Sequence, residues 1–212
     1  MLPTIEGIYH NLYRTYGPQY WWPADTPFEM MIGAILVQNT AWTNVEKALD
    51  QLKDHLDPRA IHELSDQELE SMIRPSGFYR MKTQRIRAFL SWYEMYDYDP
   101  KRLASKSTKE LRQELLHIKG IGSETADSIL LYAFNRHVFV IDAYTKRIFN
   151  RIGFDLDEKY EAIQQFFEMH LPKKVSIYNE YHALIVEHAK RFCKTKPLCE
   201  QCPIRTSCRQ LI

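Results

Sequence analysis

Leu115-Leu116-His117-Ile118-Lys119-Gly120-Ile121-Gly122-Ser123-Glu124-Thr125-Ala126-Asp127, followed by Val138-Phe139-Val140-Ile141-Asp142, is the stretch whose reading decides the fold. Just upstream, Ser107 and Glu110 stand at capping-box spacing, where each side chain takes an orphan backbone N–H of the other residue. They open an amphipathic helix carrying Leu111, Leu115 and Ile118 on one face. The Gly-Ile-Gly turn then permits a positive φ or a close approach and stops that helix. A second helix begins at once over Thr125–Ala133. A helix, a tight glycine hairpin and a helix leave backbone N–H groups pointing outward at the second N-terminus, a ready seat for a phosphate.

Working outward, the rest of the chain also reads as helix. Ile5, Ile8, Leu12 and Tyr13 fall at helical spacing, and Gly17-Pro18 ends that run. Thr26 as N-cap and Pro27 in the first turn open an almost wholly apolar helix, Phe28 to Val37, expected to be buried. Thr43 with Glu46 and Ser65 with Glu68 predict two further capping boxes. Later segments, Tyr144–Ile152, Tyr160–His170 and Ser176–Phe192, keep the helical period. The fold class expected is all-α, with about ten helices and short connections.

The 212 residues are enough for a sizeable core, and 45% hydrophobic with 13% aromatic content is globular composition. No apolar run is long enough to span a membrane, and Met1–Glu6 lacks a signal-peptide layout, so a cytoplasmic, nucleoid-associated place is expected. A net charge of +1 matters less than where the basic residues lie. Arg80, Lys82, Arg85 and Arg87 crowd one helix; Lys190, Arg191, Lys194, Lys196, Arg205 and Arg209 surround the cysteines.

Cys193, Cys199, Cys202 and Cys208 follow a C-x5-C-x2-C-x5-C pattern. Reduced thiols in that number suit zinc or an iron–sulfur cluster, although the usual zinc pattern has two C-x2-C knuckles and this has one. Asp142, just before Ala143-Tyr144-Thr145-Lys146, reads first as a helix N-cap.

Ile118–Ala126, then Val140-Ile141-Asp142-Ala143-Tyr144, then the four cysteines resemble, in order and separation, the helix-hairpin-helix DNA glycosylases of the endonuclease III superfamily. The resemblance implies a six-helix barrel over 23–135 carrying the hairpin. A second domain is implied, made of 1–22 plus 136–212, with a C-terminal [4Fe-4S] cluster held by Cys193, Cys199, Cys202 and Cys208. The first cysteine gap is one residue shorter than in endonuclease III proper. It further implies that Asp142 is catalytic, that Lys119, Gly120, Gly122, Ser123 and Thr125 bind DNA backbone, and that Asn39, with Gln38, enters the DNA stack. Trp21-Trp22-Pro23 and Trp42 resemble the base pocket of the 3-methyladenine DNA glycosylase III branch. There aromatic faces favour a cationic alkylated base through cation–π attraction.

Glu124 departs from the pattern, because bifunctional members carry a lysine there and only an amine can attack the sugar to form a Schiff base. The expected function is therefore a monofunctional glycosylase that hydrolyses alkylated purines such as 3-methyladenine, acting as a monomer on double-stranded DNA containing damaged bases, with no membrane role. The alternatives are an endonuclease III-like or adenine-mismatch glycosylase, and a non-catalytic DNA-structure-binding protein.

Overall fold

The computed structural model describes residues 2–21 and 24–212, and among them it is helical with no strand. The chain divides into two compact units, 22–136 and a second formed by 1–21 together with 137–212.

The unit of 22–136 contains eight α-helices: α2 (Pro27–Leu36), α3 (Trp42–Leu52), α4 (Pro58–Glu63), α5 (Asp66–Ile73), α6 (Tyr79–Glu94), α7 (Pro100–Ala104), α8 (Thr108–His117) and α9 (Ser123–Ser128). Helix α9 runs on into a π-helical turn, Ile129–Ala133. Helix α2 is buried on nearly every side, as its continuous apolar sequence requires, and it packs against α3, α6, α9 and the π turn. The other unit holds α1 (Ile5–Tyr16), α10 (Ala143–Ile152), α11 (Tyr160–Met169) and α12 (Val175–Arg191), then the cysteine loop. Helix α12 packs on α1 and α10. Its Tyr181 donates to the Ile5 carbonyl at 2.8 Å, and the Phe139, Phe149 and Phe167 rings interlock at centroid distances of 4.7–4.9 Å.

The caps at Thr26, Ser65 and Ser107 form as their spacing predicts. The box expected at Thr43 and Glu46 does not. The Trp42 ring lies over Gly33, 3.3 Å from where a β-carbon would stand, so Trp42 is drawn into the first turn and α3 starts from Ala41 with no side-chain cap. Twelve α-helices are present among the described residues instead of about ten. The short extras α4 and α7 both open with Asp-Pro, Asp57-Pro58 and Asp99-Pro100, where the aspartate caps and the proline takes the first turn.

The basic helix, α6, is not a solvated stripe. Lys82 is fully buried, its Nζ donating to the carbonyls of Leu36 at 2.7 Å and Ser76 at 2.6 Å. Burial, with Arg85 nearby, brings its pKa down to about 8. Arg87 is spent on Asp66 and on the carbonyls of Ile61, His62 and Leu64. Arg80 alone of the four is exposed.

Candidate active site and cysteine loop

Asp142 is the N-cap of α10. Its Oδ1 accepts from the Thr145 backbone N–H at 2.7 Å and from the Thr145 hydroxyl at 2.8 Å. The carboxylate is nevertheless not a surface cap, since Asp142 is only 9% exposed. Its second oxygen, Oδ2, lies 3.4 Å from Nε2 of His182 on α12. Burial pushes the pKa of Asp142 up, but His182 and the two Thr145 donors outweigh that and hold it below the ordinary carboxylate value. A buried aspartate kept ionised can stabilise a developing cation or take a proton from water. The Trp21 ring is inclined to the His182 ring at a centroid distance of 5.9 Å, so aromatic, imidazole and carboxylate stand together. His182 has no motif of its own. Its only signal in the sequence is a polar ring on a helix otherwise lined by Tyr178, Tyr181, Leu184 and Ile185.

The hairpin forms between α8 and α9. Gly120 has φ +89, and a β-carbon there would meet the Arg85 stem at 2.5 Å, so both backbone and space demand glycine. Gly122 differs: it is extended, at φ −96 and ψ 179, with nothing within 4 Å of where a β-carbon would be. Lys119, Gly120, Gly122 and Glu124 are exposed and Ser123 is half-buried. Thr125 is buried and its hydroxyl accepts from Gln38 Nε2 at 2.9 Å. That same amide nitrogen donates to the Gly120 carbonyl at 3.0 Å, and Arg85 donates to Gln38 Oε1. Gln38 thus fastens the loop after α2 to the hairpin. Its neighbour Asn39 sits exposed in the left-handed region, at φ +56. Arg85 carried no signal for this role beyond its charge. At the N-cap of the same helix, Phe78 is 60% exposed at φ +47, an aromatic tip with no motif of its own in the sequence.

Trp42 is half-buried at the start of α3, against Gly33. Of the expected base-pocket residues, Trp22 and Pro23 lie outside the described residues.

The four cysteines, none in a disulfide, line one hollow together with Arg151, His188 and Phe192. Burial raises the Cys202 and Cys208 thiols, and the neighbouring thiols raise them further. Among the described residues no three His, Cys, Asp or Glu side chains are drawn closely enough together to hold a single metal ion. Partners surround the sulfurs. Arg151 donates towards Cys193 Sγ at 3.5 Å and to the carbonyls of Lys194 and Thr195. His188 Nε2 lies 3.7 Å from Cys202 Sγ, while Tyr16 OH bonds its Nδ1 at 2.8 Å. Burial brings the pKa of His188 down to about 4. Around this loop Lys190, Lys194 and Lys196 are exposed, whereas Arg191 pairs with Glu187 and Arg205 with Glu200.

Residues 32–173 match the HhH-GPD superfamily of base excision DNA repair proteins. A protein of Methanocaldococcus jannaschii, provisionally assigned as a DNA repair glycosylase, is 48% identical over 210 residues, spanning 96% of this chain and 95% of its own. Endonuclease III of Thermotoga maritima is 28% identical, over 86% of this chain and 82% of its own. Among solved structures, the Helicobacter pylori 3-methyladenine DNA glycosylase bound to 1,N6-ethenoadenine superposes with a TM-score of 0.78 at 29% identity, covering 90% of this chain and 98% of that one. With its glycine hairpin between two helices and an aspartate opening the helix that follows, the chain belongs to the HhH-GPD superfamily of base excision DNA repair proteins, and is a DNA glycosylase of that superfamily.

Proposed function

We propose that this glycosylase is monofunctional and hydrolyses the N-glycosidic bond of alkylated purines, 3-methyladenine first, in double-stranded DNA. The observation that carries the reading is a pair of carboxylates: Asp142, buried and held ionised, and Glu124, exposed on the hairpin where the lyase chemistry needs an amine. Trp21 beside the Asp142–His182 pair supplies an aromatic face for a flipped cationic base. The H. pylori relative, solved with an ethenoadenine, supports the same substrate class.

The chemistry follows from charge. N3-alkylation makes the base a cation, so when the C1′–N bond breaks the base leaves neutral with the bonding electron pair and needs no acid. Positive charge then builds on the sugar. The Asp142 carboxylate stabilises it, and water forms the new C1′–O bond, giving its proton to Asp142 and then to solvent. Asn39, Lys119, Gly120, Gly122 and Ser123 meet the DNA, the amides of the hairpin facing a phosphate. Gln38 and Thr125 hold that surface together from within. The protein acts as a monomer.

Cys193, Cys199, Cys202 and Cys208 would hold the [4Fe-4S] cluster. The four thiols share one hollow, and four thiolates are the donor set that such a cluster takes. When bound, the cluster supplies a rigid cross-link for the loop that presents Lys194 and Lys196, and no electron to base release.

The likeness to endonuclease III favours a second reading, a bifunctional enzyme acting on oxidised pyrimidines. One experiment separates them: release of free base from methylated duplex DNA by wild type and Asp142→Asn, with strands examined before and after hot alkali and with borohydride present. The proposal expects Asp142-dependent 3-methyladenine release, strand breaks only after alkali, and no trapped adduct. A borohydride adduct overturns the monofunctional reading; no alkylpurine release overturns the substrate. DNA binding that survives Asp142→Asn with no base released from any lesion leaves the non-catalytic binder.

A further inference from the structure

We propose that His182 is the positioning residue of the active site, holding Oδ2 of Asp142 in place and in its ionised form while Thr145 holds Oδ1. This rests on Asp142 being the reacting carboxylate. The two oxygens are treated differently by the fold. Oδ1 is fixed within its own helix by both Thr145 donors, a local arrangement any N-cap aspartate can make. Oδ2 depends on a residue forty positions away, reached only because α12 packs on α10.

A capping bond alone leaves a buried carboxylate with one oxygen uncompensated, and burial favours the neutral acid. Neutral Asp142 could neither stabilise a sugar cation nor accept a proton from water. His182 is the ionisable side chain acting on it. Lys146, one turn on from Asp142 along α10, is half-buried, and several other charged groups on the surrounding elements are engaged elsewhere. On α12, Glu180 accepts from the Gln19 backbone N–H and Glu187 pairs with Arg191. On α10, Arg147 donates to the Cys193 carbonyl and Arg151 to those of Lys194 and Thr195. On α11, Glu168 accepts from Phe139 N–H, and on α1, Glu6 faces His10.

The separation of 3.4 Å is longer than a tight charge-assisted bond, which runs about 2.7–2.9 Å. Room therefore remains for the pair to close as the carboxylate gathers or passes on a proton. His182 is itself only 6% exposed and lies against Trp21, so the ring that holds the carboxylate also abuts the aromatic wall of the site.

The test uses the full-length protein as purified, in three forms: wild type, His182→Gln, whose amide can still donate to Oδ2, and His182→Phe, which cannot. Titration of the Asp142 side-chain carbon by NMR on aspartate-labelled protein reads the pair without any substrate. Single-turnover 3-methyladenine release from methylated duplex DNA, followed from about pH 3 to about pH 7 against an enzyme-free control, reads its consequence. Thermal melts confirm that each variant is folded. The expected result is that His182→Phe raises the Asp142 titration and moves the acid limb of the rate profile up by at least about one pH unit, a tenfold loss on that limb. His182→Gln should stay near wild type in both. Unchanged titration and an unchanged acid limb in folded His182→Phe overturn the proposal, as does equal damage from Gln and Phe. If the carbon titration shifts as expected while wild type releases no alkylpurine, the pairing stands and the substrate reading is the one that fails. Should His182→Phe not fold, the comparison of Gln with wild type together with His182→Leu decides by the same two readouts.

Discussion

Helices α10 and α9 start from nearly the same backbone, Asp142 at φ −105 and ψ 177 and Gly122 at φ −96 and ψ 179, and are finished in opposite ways. At Asp142 the side chain folds back on the first turn and is then buried with a histidine on its other oxygen. At Gly122 no side chain caps the turn, and open space stands where one would begin. A helix N-terminus carries partial positive charge and unpaired N–H groups. One unit meets them with its own carboxylate, buried and held ionised. The other puts a glycine at that place, with no side chain to fold back. On the function proposed above, the capping residue, more than the backbone, separates a catalytic helix start from one that faces DNA.

The largest effect should come from Asp142→Asn. Asparagine caps as well as aspartate, so the helix and melting temperature should change little. Base release should fall about 10²–10⁴-fold, the range for losing a proton acceptor at a reacting centre. The same variant should flatten the acid end of the stability curve. Because the folded pKa of Asp142 lies below its ordinary 3.8, its stabilisation is present above that value and is lost as pH falls through the folded one. A large drop in melting temperature at neutral pH would mean that Asp142 is chiefly structural.

Lys82 is the buried charge of the other unit, and there burial disfavours the charged form, with a slope of the same sign at higher pH. Its folded pKa of about 8 lies below the ordinary 10.5, so between them the unfolded chain binds the extra proton and stability rises with pH. Chemical denaturation from about pH 8 to about pH 10 should reveal a gain of at most about 3 kcal/mol in wild type that is absent in Lys82→Met. Equal slopes would mean that the ammonium stays charged on its two carbonyls.

Gly120→Ala should cost about 1–2 kcal/mol, through positive φ and displacement of Arg85. It should also loosen the Gln38 tie and raise hydrogen exchange in the loop after α2. Smallest in free energy, and the most direct on the comparison, is Gly122→Asp. The open space accepts the side chain, the cap forms, and α9 gains about 0.5–1 kcal/mol. DNA affinity should drop about tenfold and the salt slope should shrink by about one, because the carboxylate occupies amides meant for a phosphate. Unchanged binding would remove the hairpin amides from the DNA contact.

What the sequence determined by itself is local. Ser107 with Glu110, Thr26 with Pro27, the stop at Gly17 and the Asp142 cap each involve residues no more than four apart, and their hydrogen bonds depend on little beyond backbone geometry. The cysteine spacing was legible because all four lie in one short stretch of chain. Thr43 with Glu46 failed where a distant contact, Trp42 on Gly33, moved the helix start. The tertiary structure decided everything that needs two helices at once: Lys82 on the carbonyls of Leu36 and Ser76, Gln38 between Arg85 and the hairpin, and His182 on Asp142. Such pairings are set by how apolar faces pack, and a charge pattern along one helix carries no record of which side chain the packing will bury.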